Sequence, residues 1–261
     1  MKFIRGTLPG LEGQHDIAVL EGDTHICKWI AEHGRLDQDA NMWPRMEQLG
    51  LINRESVVYD LGAYVGDCTA WYAARANAVV AFEAYGDACE CLDHNMAPYI
   101  ERGNSQVFIV RRPVGNDEPT MADEYKNYPS MPEKREEENK ASRSIVMCDR
   151  WIPGEPVYTL RIDDLLKWKP EIPPPTFIKL DIEGWEVRAL LGAAETIRAH
   201  RPVILCEANR AALERAGSSL QELHGLMVGF GYHMVDFYTG ETWRPNNDVA
   251  CCDFLATPWK L

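Results

Sequence analysis

The order in which short apolar runs and helical stretches follow one another is the strongest constraint on how this chain can fold. Val57-Val58-Tyr59 is β-branched and aromatic, and the stretch from Val65 to Arg75 after it has helical character. The order then repeats: Ala78 to Phe82 reads as a strand, Asp87 to Ile100 as a helix, and Gln106 to Arg111 as another strand. Phe177 to Leu180, a helix from Trp185 to His200, and Val203 to Cys206 continue it. Short apolar strands alternating with amphipathic helices indicate an α/β fold with a mainly parallel sheet and helices on both faces. Near the end, Tyr232 to Val235 and Val249 to Leu255 flank a polar turn at Pro245-Asn246-Asn247 and read as a C-terminal antiparallel hairpin. No internal repeat is visible, which excludes solenoids and propellers.

Composition narrows the partners. A length of 261 residues suits one large core better than two, and 46% hydrophobic residues supply enough apolar material for it. The formal net charge of −13 offers no broad attraction for phosphate backbones, so bulk nucleic-acid binding is not expected. No stretch reaches the roughly 20 apolar residues of a membrane span, and the start, Met1 to Gly6, carries no leader pattern; a cytoplasmic protein is expected. The eight cysteines include no C-x-x-C pair and read as reduced thiols rather than a disulfide framework or zinc site. Residues 116–144, with the charge run Glu133 to Lys140, interrupt the alternation and read as a solvated segment, with a lid as the alternative.

Chemistry concentrates at strand ends. In Val57 to Asp67, VVYDLGAYVGD, a strand ends in Asp60 and a glycine-containing turn opens a helix. In a doubly wound sheet that end borders the ligand crevice. Gly62 and Gly66 are four positions apart, whereas the dinucleotide fingerprint wants its first two glycines two apart, so NAD is disfavoured. Glu83 ends the next strand and can accept ribose hydroxyls, which fits an adenosine without a pyrophosphate. Asp60 then suits an amino-acid ammonium group, as in S-adenosylmethionine. Helix capping is the competing account of both acids. In Phe177 to Glu186, FIKLDIEGWE, Lys179, Asp181 and Glu183 are spaced by two and share one face if the segment stays extended; an internal ion pair is the structural alternative. Asp181, with Glu207 and Asn209 of the next strand, offers oxygen donors for a hard cation such as Mg²⁺, though nothing in the sequence demands a metal.

These blocks resemble the FkbM-type methyltransferase family. DLGAYVGD is similar to its D-x-G-A-N-x-G-D cofactor loop and AFEA to its A-F-E-P; VYTLRIDDL and IKLDIEGWE are similar to its later T-x-D-x-L and K-x-D-x-E-G-x-E blocks. The match spans about residues 57–207, and Leu191-Gly192-Ala193 and Arg201-Pro202 extend it. Tyr64 stands in place of the usual Asn, and Ala84 in place of Pro. The resemblance implies a Rossmann-like class I methyltransferase domain over residues 57–261, preceded by residues 1–56 as an extension on the substrate side. It implies S-adenosylmethionine as cofactor, with Asp60, Gly62, Ala63, Tyr64, Gly66 and Asp67 along its methionine end, Glu83 and Ala84 at the ribose, and Val114 with Gly115 near the adenine.

The implied reaction is O-methylation of a small hydroxylated molecule or sugar. Asp181 is the expected base or orienter, with Lys179 and Glu183 tuning it, and the scattered histidines, His33, His94, His200 and His233, are weaker candidates. Trp71 and Trp185, near helix starts, are further candidates for ligand contact. A ribose 2′-O-methyltransferase acting on nucleic acid is the enzymatic rival, which the acidic charge disfavours; a non-catalytic S-adenosylmethionine-binding protein is the rival of another class.

Overall fold

All five residues of Val57–Leu61 are buried, as are all five of Ala78–Phe82, which a strand achieves only when both faces of its sheet are covered. In the computed structural model, residues 1–36, 41–103, 105–116, 120–121, 156–245 and 250–259 are described. An antiparallel hairpin of β1 (Lys2–Gly6) and β2 (His15–Val19) comes first, followed by α1 (Ile26–His33) and α2 (Met42–Gln48). Then come β3 (Val57–Leu61), α3 (Asp67–Ala73), β4 (Ala78–Phe82), α4 (Gly86–Arg102) and β5 (Gln106–Val110). A small antiparallel pair, β6 (Thr120–Met121) and β7 (Pro156–Val157), leads to α5 (Ile162–Trp168), β8 (Phe177–Leu180), α6 (Glu186–Gly192) and α7 (Ala194–His200). The chain continues through β9 (Val203–Asn209), α8 (Arg210–Arg215), α9 (Leu220–Gly229), β10 (Tyr232–Asp236) and β11 (Cys251–Pro258).

Seven strands form one sheet in the order β10-β11-β9-β8-β3-β4-β5. β5, β4, β3, β8 and β9 run parallel, and β11 lies antiparallel between β9 and β10. The C-terminal hairpin expected from sequence is therefore present, with its second strand inserted next to β9. From β3 the chain builds outward through β4 and β5, then returns to the other side of β3 with β8 and β9. The topological switch point lies between β3 and β8, and a crevice forms outside the carboxyl ends of those strands.

Alternation along the strands sorts the core into two layers. Val58, Val79 and Ala81 face one side, where α1, α2, α3 and α4 pack; Tyr59, Leu61, Val80, Phe82, Ile178 and Leu180 face the other, under α5 to α9. Ile17, Ala18, Val19, Cys27, Ile30, Trp43 and Met46 belong to the first layer, so the N-terminal segment shares the core of the sheet. Trp71 also turns into this layer, stacked on Trp43 at 4.8 Å between centroids, and is spent on packing rather than on the crevice.

The single helix expected over Trp185 to His200 is two helices, broken at Ala193. Gly192 lies so close to the Gly115 carbonyl that a Cβ would stand 1.8 Å from that oxygen, so no side chain fits at the last position of α6. α7 then starts without a cap from its own N-cap side chain. Asp163 of α5 supplies one instead, accepting from the Glu195 amide (3.1 Å) and from the Thr196 amide and hydroxyl (2.8 Å each). The charge run at 133–140 and the Pro-Asn-Asn turn lie wholly or largely outside the described residues. Among the described residues no helix is long and apolar enough to cross a membrane, and every cysteine is free.

Candidate active site

Register brings the sequence-predicted acids together. Asp60 and Lys179 are partners in the adjacent parallel strands β3 and β8, so their side chains leave the sheet on the same face. Lys179 Nζ lies 3.7 Å from Asp60 Oδ1 and 3.1 Å from Asp181 Oδ2, bridging two carboxylates. Asp60 is fully buried, and its Oδ2 accepts from the Thr69 hydroxyl at 2.6 Å. Burial pushes the Asp60 carboxyl up against the pull of Lys179. Burial would lower Lys179, but Asp181, Asp60 and neighbouring groups outweigh it and keep the ammonium protonated. The ion-pair alternative is thus realised, yet Asp181 remains accessible: its side chain is 40% exposed, against 7% for Lys179.

Gly62 follows β3 with φ 88°, and a Cβ there would stand 1.8 Å from the Asp181 carbonyl oxygen. Only glycine lets the two turns of the crevice approach this closely. The amides of Gly62 and Ala63 both donate to the Phe82 carbonyl at 3.0 Å, and Tyr64 follows with φ 49° before Gly66 opens α3. Glu83, half-buried at the tip of β4, closes over this loop. Its Oε2 accepts from the Tyr64 amide (2.8 Å), and its Oε1 from the amides of Ala84 (2.8 Å) and Tyr85 (2.6 Å). A carboxylate has about four acceptor positions, so one on Oε2 is left for a ligand hydroxyl. Asp67, buried in the first turn of α3, is pushed up to about 6, by burial above all. Val114 pairs with Leu160 and is buried in the second core layer, so at the crevice it has backbone rather than side chain to offer.

The turn after β8 is held by a residue that sequence reasoning did not single out. Glu186 Oε1 accepts from the amides of Ile182 and Gly184 at 3.1 Å each, while its buried Oε2 has no partner among the described residues. Burial pushes its carboxyl up to about 7. Glu186 stands inside the quoted FIKLDIEGWE block; its i+2 and i+4 relation to those amides was the available signal. Trp185 is buried under the Arg188 guanidinium, 4.3 Å from the ring centroid, and is not a ligand platform.

Asp181, Glu183 and Glu207 bring carboxylate oxygens within 4.8 Å of one another. Burial, then the charges of Asp181 and Glu183, push Glu207 up to about 8. These are oxygen donors of the kind a hard divalent cation takes. Asn209, expected beside them, instead caps α8 by accepting from the Ala212 amide at 3.2 Å.

Residues 60–234, more than half of the chain, match the family described as methyltransferase FkbM domain. The chain belongs to the FkbM methyltransferase family. The match begins at Asp60 and takes in Glu83, the β8 turn and Glu207, so the crevice lies inside the family's domain. No functionally curated protein matches. Among solved structures, the methyltransferase FkbM from Methylobacillus flagellatus KT is 19% identical over 78% of this chain, with a TM-score of 0.49; this chain spans 43% of that protein. Precorrin-6y C5,15-methyltransferase from Geobacter metallireducens GS-15 is 9% identical, covering 82% of this chain and 87% of its own, at a TM-score of 0.41. A Streptococcus mutans protein crystallised in complex with SAH is 10% identical, covering 84% and 96%, at 0.39. The FkbM assignment here rests on the family match, and the class I methyltransferase architecture on that match together with the strand order seen in this chain.

Proposed function

We propose that this FkbM-family chain transfers the methyl group of S-adenosylmethionine to a hydroxyl of a small molecule or sugar in the cytoplasm. The observation that carries the reading is Asp181: a partly exposed carboxylate at the switch point, tethered through one oxygen to a buried lysine. The crevice residues suit the cofactor. Glu83 retains an acceptor position for a ribose hydroxyl, Gly62 keeps the first turn open at the backbone, and no glycine pattern for a pyrophosphate competes.

When bound, S-adenosylmethionine supplies an electrophilic methyl on sulfur. The chain's own residues do the rest. Asp181 Oδ1, which takes no protein partner among the described residues, receives the hydroxyl proton of the acceptor as the oxygen attacks. Lys179 holds Asp181 in place through Oδ2, and Asp60 anchors Lys179 from the other side. Glu183 lines the same mouth, and with the net charge of −13 it favours a neutral or cationic acceptor over a nucleic acid.

The test is Asp181→Asn assayed with radiolabelled S-adenosylmethionine against a panel of hydroxylated metabolites, glycans and RNA. The expected result is transfer to a hydroxylated small molecule or glycan, reduced by about 10²-fold or more in the variant, with SAH affinity unchanged. Transfer to RNA alone, or full activity in Asp181→Asn, would overturn the reading.

A further inference from the structure

The N-terminal segment carries none of the family's motifs, yet two sets of contacts bind it to the cofactor loop. The Tyr64 hydroxyl donates to Asp23 Oδ2, and the Cys27 thiol donates to that hydroxyl at 3.6 Å. Asp23 is buried, and its Oδ1 accepts from the His25 amide at 2.6 Å. Separately, Asn95 of α4, fully buried, spans strand and loop. Its amide nitrogen donates to the carbonyls of Ala18 (2.9 Å) and Val65 (2.8 Å), and its oxygen accepts from the Ala18 amide at 2.8 Å.

Tyr64 is the residue to explain. Its φ of 49° is a conformation unfavourable for a residue with a Cβ and one that asparagine, usual at this position of the family loop, adopts more readily. What offsets that cost is the side chain: the ring is buried and its hydroxyl reaches Asp23. The same residue's N–H meets Glu83 Oε2, the carboxylate oxygen with an acceptor position to spare. One unbroken line therefore runs from Asp23 through Tyr64 to Glu83.

We propose that Asp23 and Tyr64 are positioning residues for the cofactor: the Asp23–Tyr64 bond fixes the left-handed backbone at Tyr64, which holds the Glu83 carboxylate in the orientation that accepts the ribose. The proposal rests on the assignment of Glu83 to the ribose. It gives residues 15–27 a function in cofactor affinity, exerted through the loop rather than by contact with the ligand.

The experiment is a double-mutant cycle on SAH binding by calorimetry, with wild type, Tyr64→Phe, Glu83→Gln and the pair, each checked as folded by thermal unfolding without ligand. Tyr64→Phe keeps the ring in place and removes only the hydroxyl. Losing that one hydrogen bond is expected to weaken SAH by roughly tenfold. Because the effect passes through Glu83, the pair should bind SAH no more weakly than Glu83→Gln alone, within about twofold. Asp23→Asn, combined with Glu83→Gln in the same way, reaches the contact from its other side and serves if Tyr64→Phe does not fold. Losses that simply add, or unchanged SAH affinity in Tyr64→Phe, overturn the proposal while leaving Glu83 at the ribose. Wild-type affinity in Glu83→Gln overturns the ribose assignment, and the positioning role with it.

Discussion

The two turns that form the crevice are built alike and held differently. Each follows a parallel strand, each has a glycine at positive φ pressed against neighbouring backbone, and each places a residue with a side chain in the left-handed region, Tyr64 in one and Glu183 in the other. The turn after β3 is fixed from outside: by Glu83 of β4, by Asn95 of α4 and by Asp23 of the N-terminal segment. The turn after β8 is fixed from within, by Glu186 at the head of its own helix, and its remaining carboxylates stand partly exposed. A loop braced by three separate elements has its shape set before any ligand arrives, whereas the turn after β8 leaves the Asp181 side chain 40% exposed.

Gly62→Ala breaks the comparison most severely, since the new Cβ would overlap the Asp181 carbonyl and disturb both turns. A loss of about 4 kcal/mol or more is expected, read as a collapse of the urea midpoint; an unchanged midpoint would mean that the turns are not in contact. Asn95→Ala strikes only the first turn and strands the Ala18 amide and carbonyl and the Val65 carbonyl. It should cost about 3 kcal/mol and weaken SAH while leaving the acid cluster of the second turn unaltered. If stability falls but SAH binds as before, the bracing of the first turn does not reach the cofactor.

The second turn should show itself through pH. Glu186 and Glu207 titrate at about 7 and about 8 in the fold, against ordinary values of 4.5. Between those limits the folded state binds more protons than the unfolded one, so stability present at pH 4.5 declines as pH rises toward 8. Glu207→Gln, which imitates the protonated side chain, should flatten the melting-temperature profile between pH 5 and 8.5 and raise the melting temperature at the alkaline end. A profile as steep as that of wild type would show that Glu207 is not held protonated by its neighbours. Glu186→Gln should have the smallest effect, because Gln retains the oxygen that accepts from Ile182 and Gly184 and the carboxyl is already largely protonated below pH 7. Differential scanning calorimetry at pH 6 should find its melting temperature the closest to wild type of these variants, and a drop as large as that of Asn95→Ala would show that the Glu186 carboxyl is not held neutral.

The parallel sheet was legible because strands buried on both faces leave unbroken apolar runs, as Val57-Val58-Tyr59 and AVVAF do. The spacing of Lys179 and Asp181 brought them together as an ion pair, but the segment does not stay extended as far as Glu183, which lies in a turn at φ 56°, and the pairing of Lys179 with Asp60 was not legible because it depends on the register of β3 against β8. The approach of Gly192 to Gly115 and the cap from Asp163 depend on contact between segments distant in sequence. The N-terminal hairpin escaped notice for another reason: β1 is largely exposed, so it shows no apolar run, and its link to the loop passes through single polar residues, Asn95 and Asp23.

The most direct test of the account is a calorimetric titration of the wild-type protein with SAH and, in parallel, with NAD, with Glu83→Ala as the control. The account predicts binding of SAH in the micromolar range, none of NAD, and loss of SAH binding in the variant. Failure of the folded wild-type protein to bind SAH, or equal binding of NAD, would contradict it.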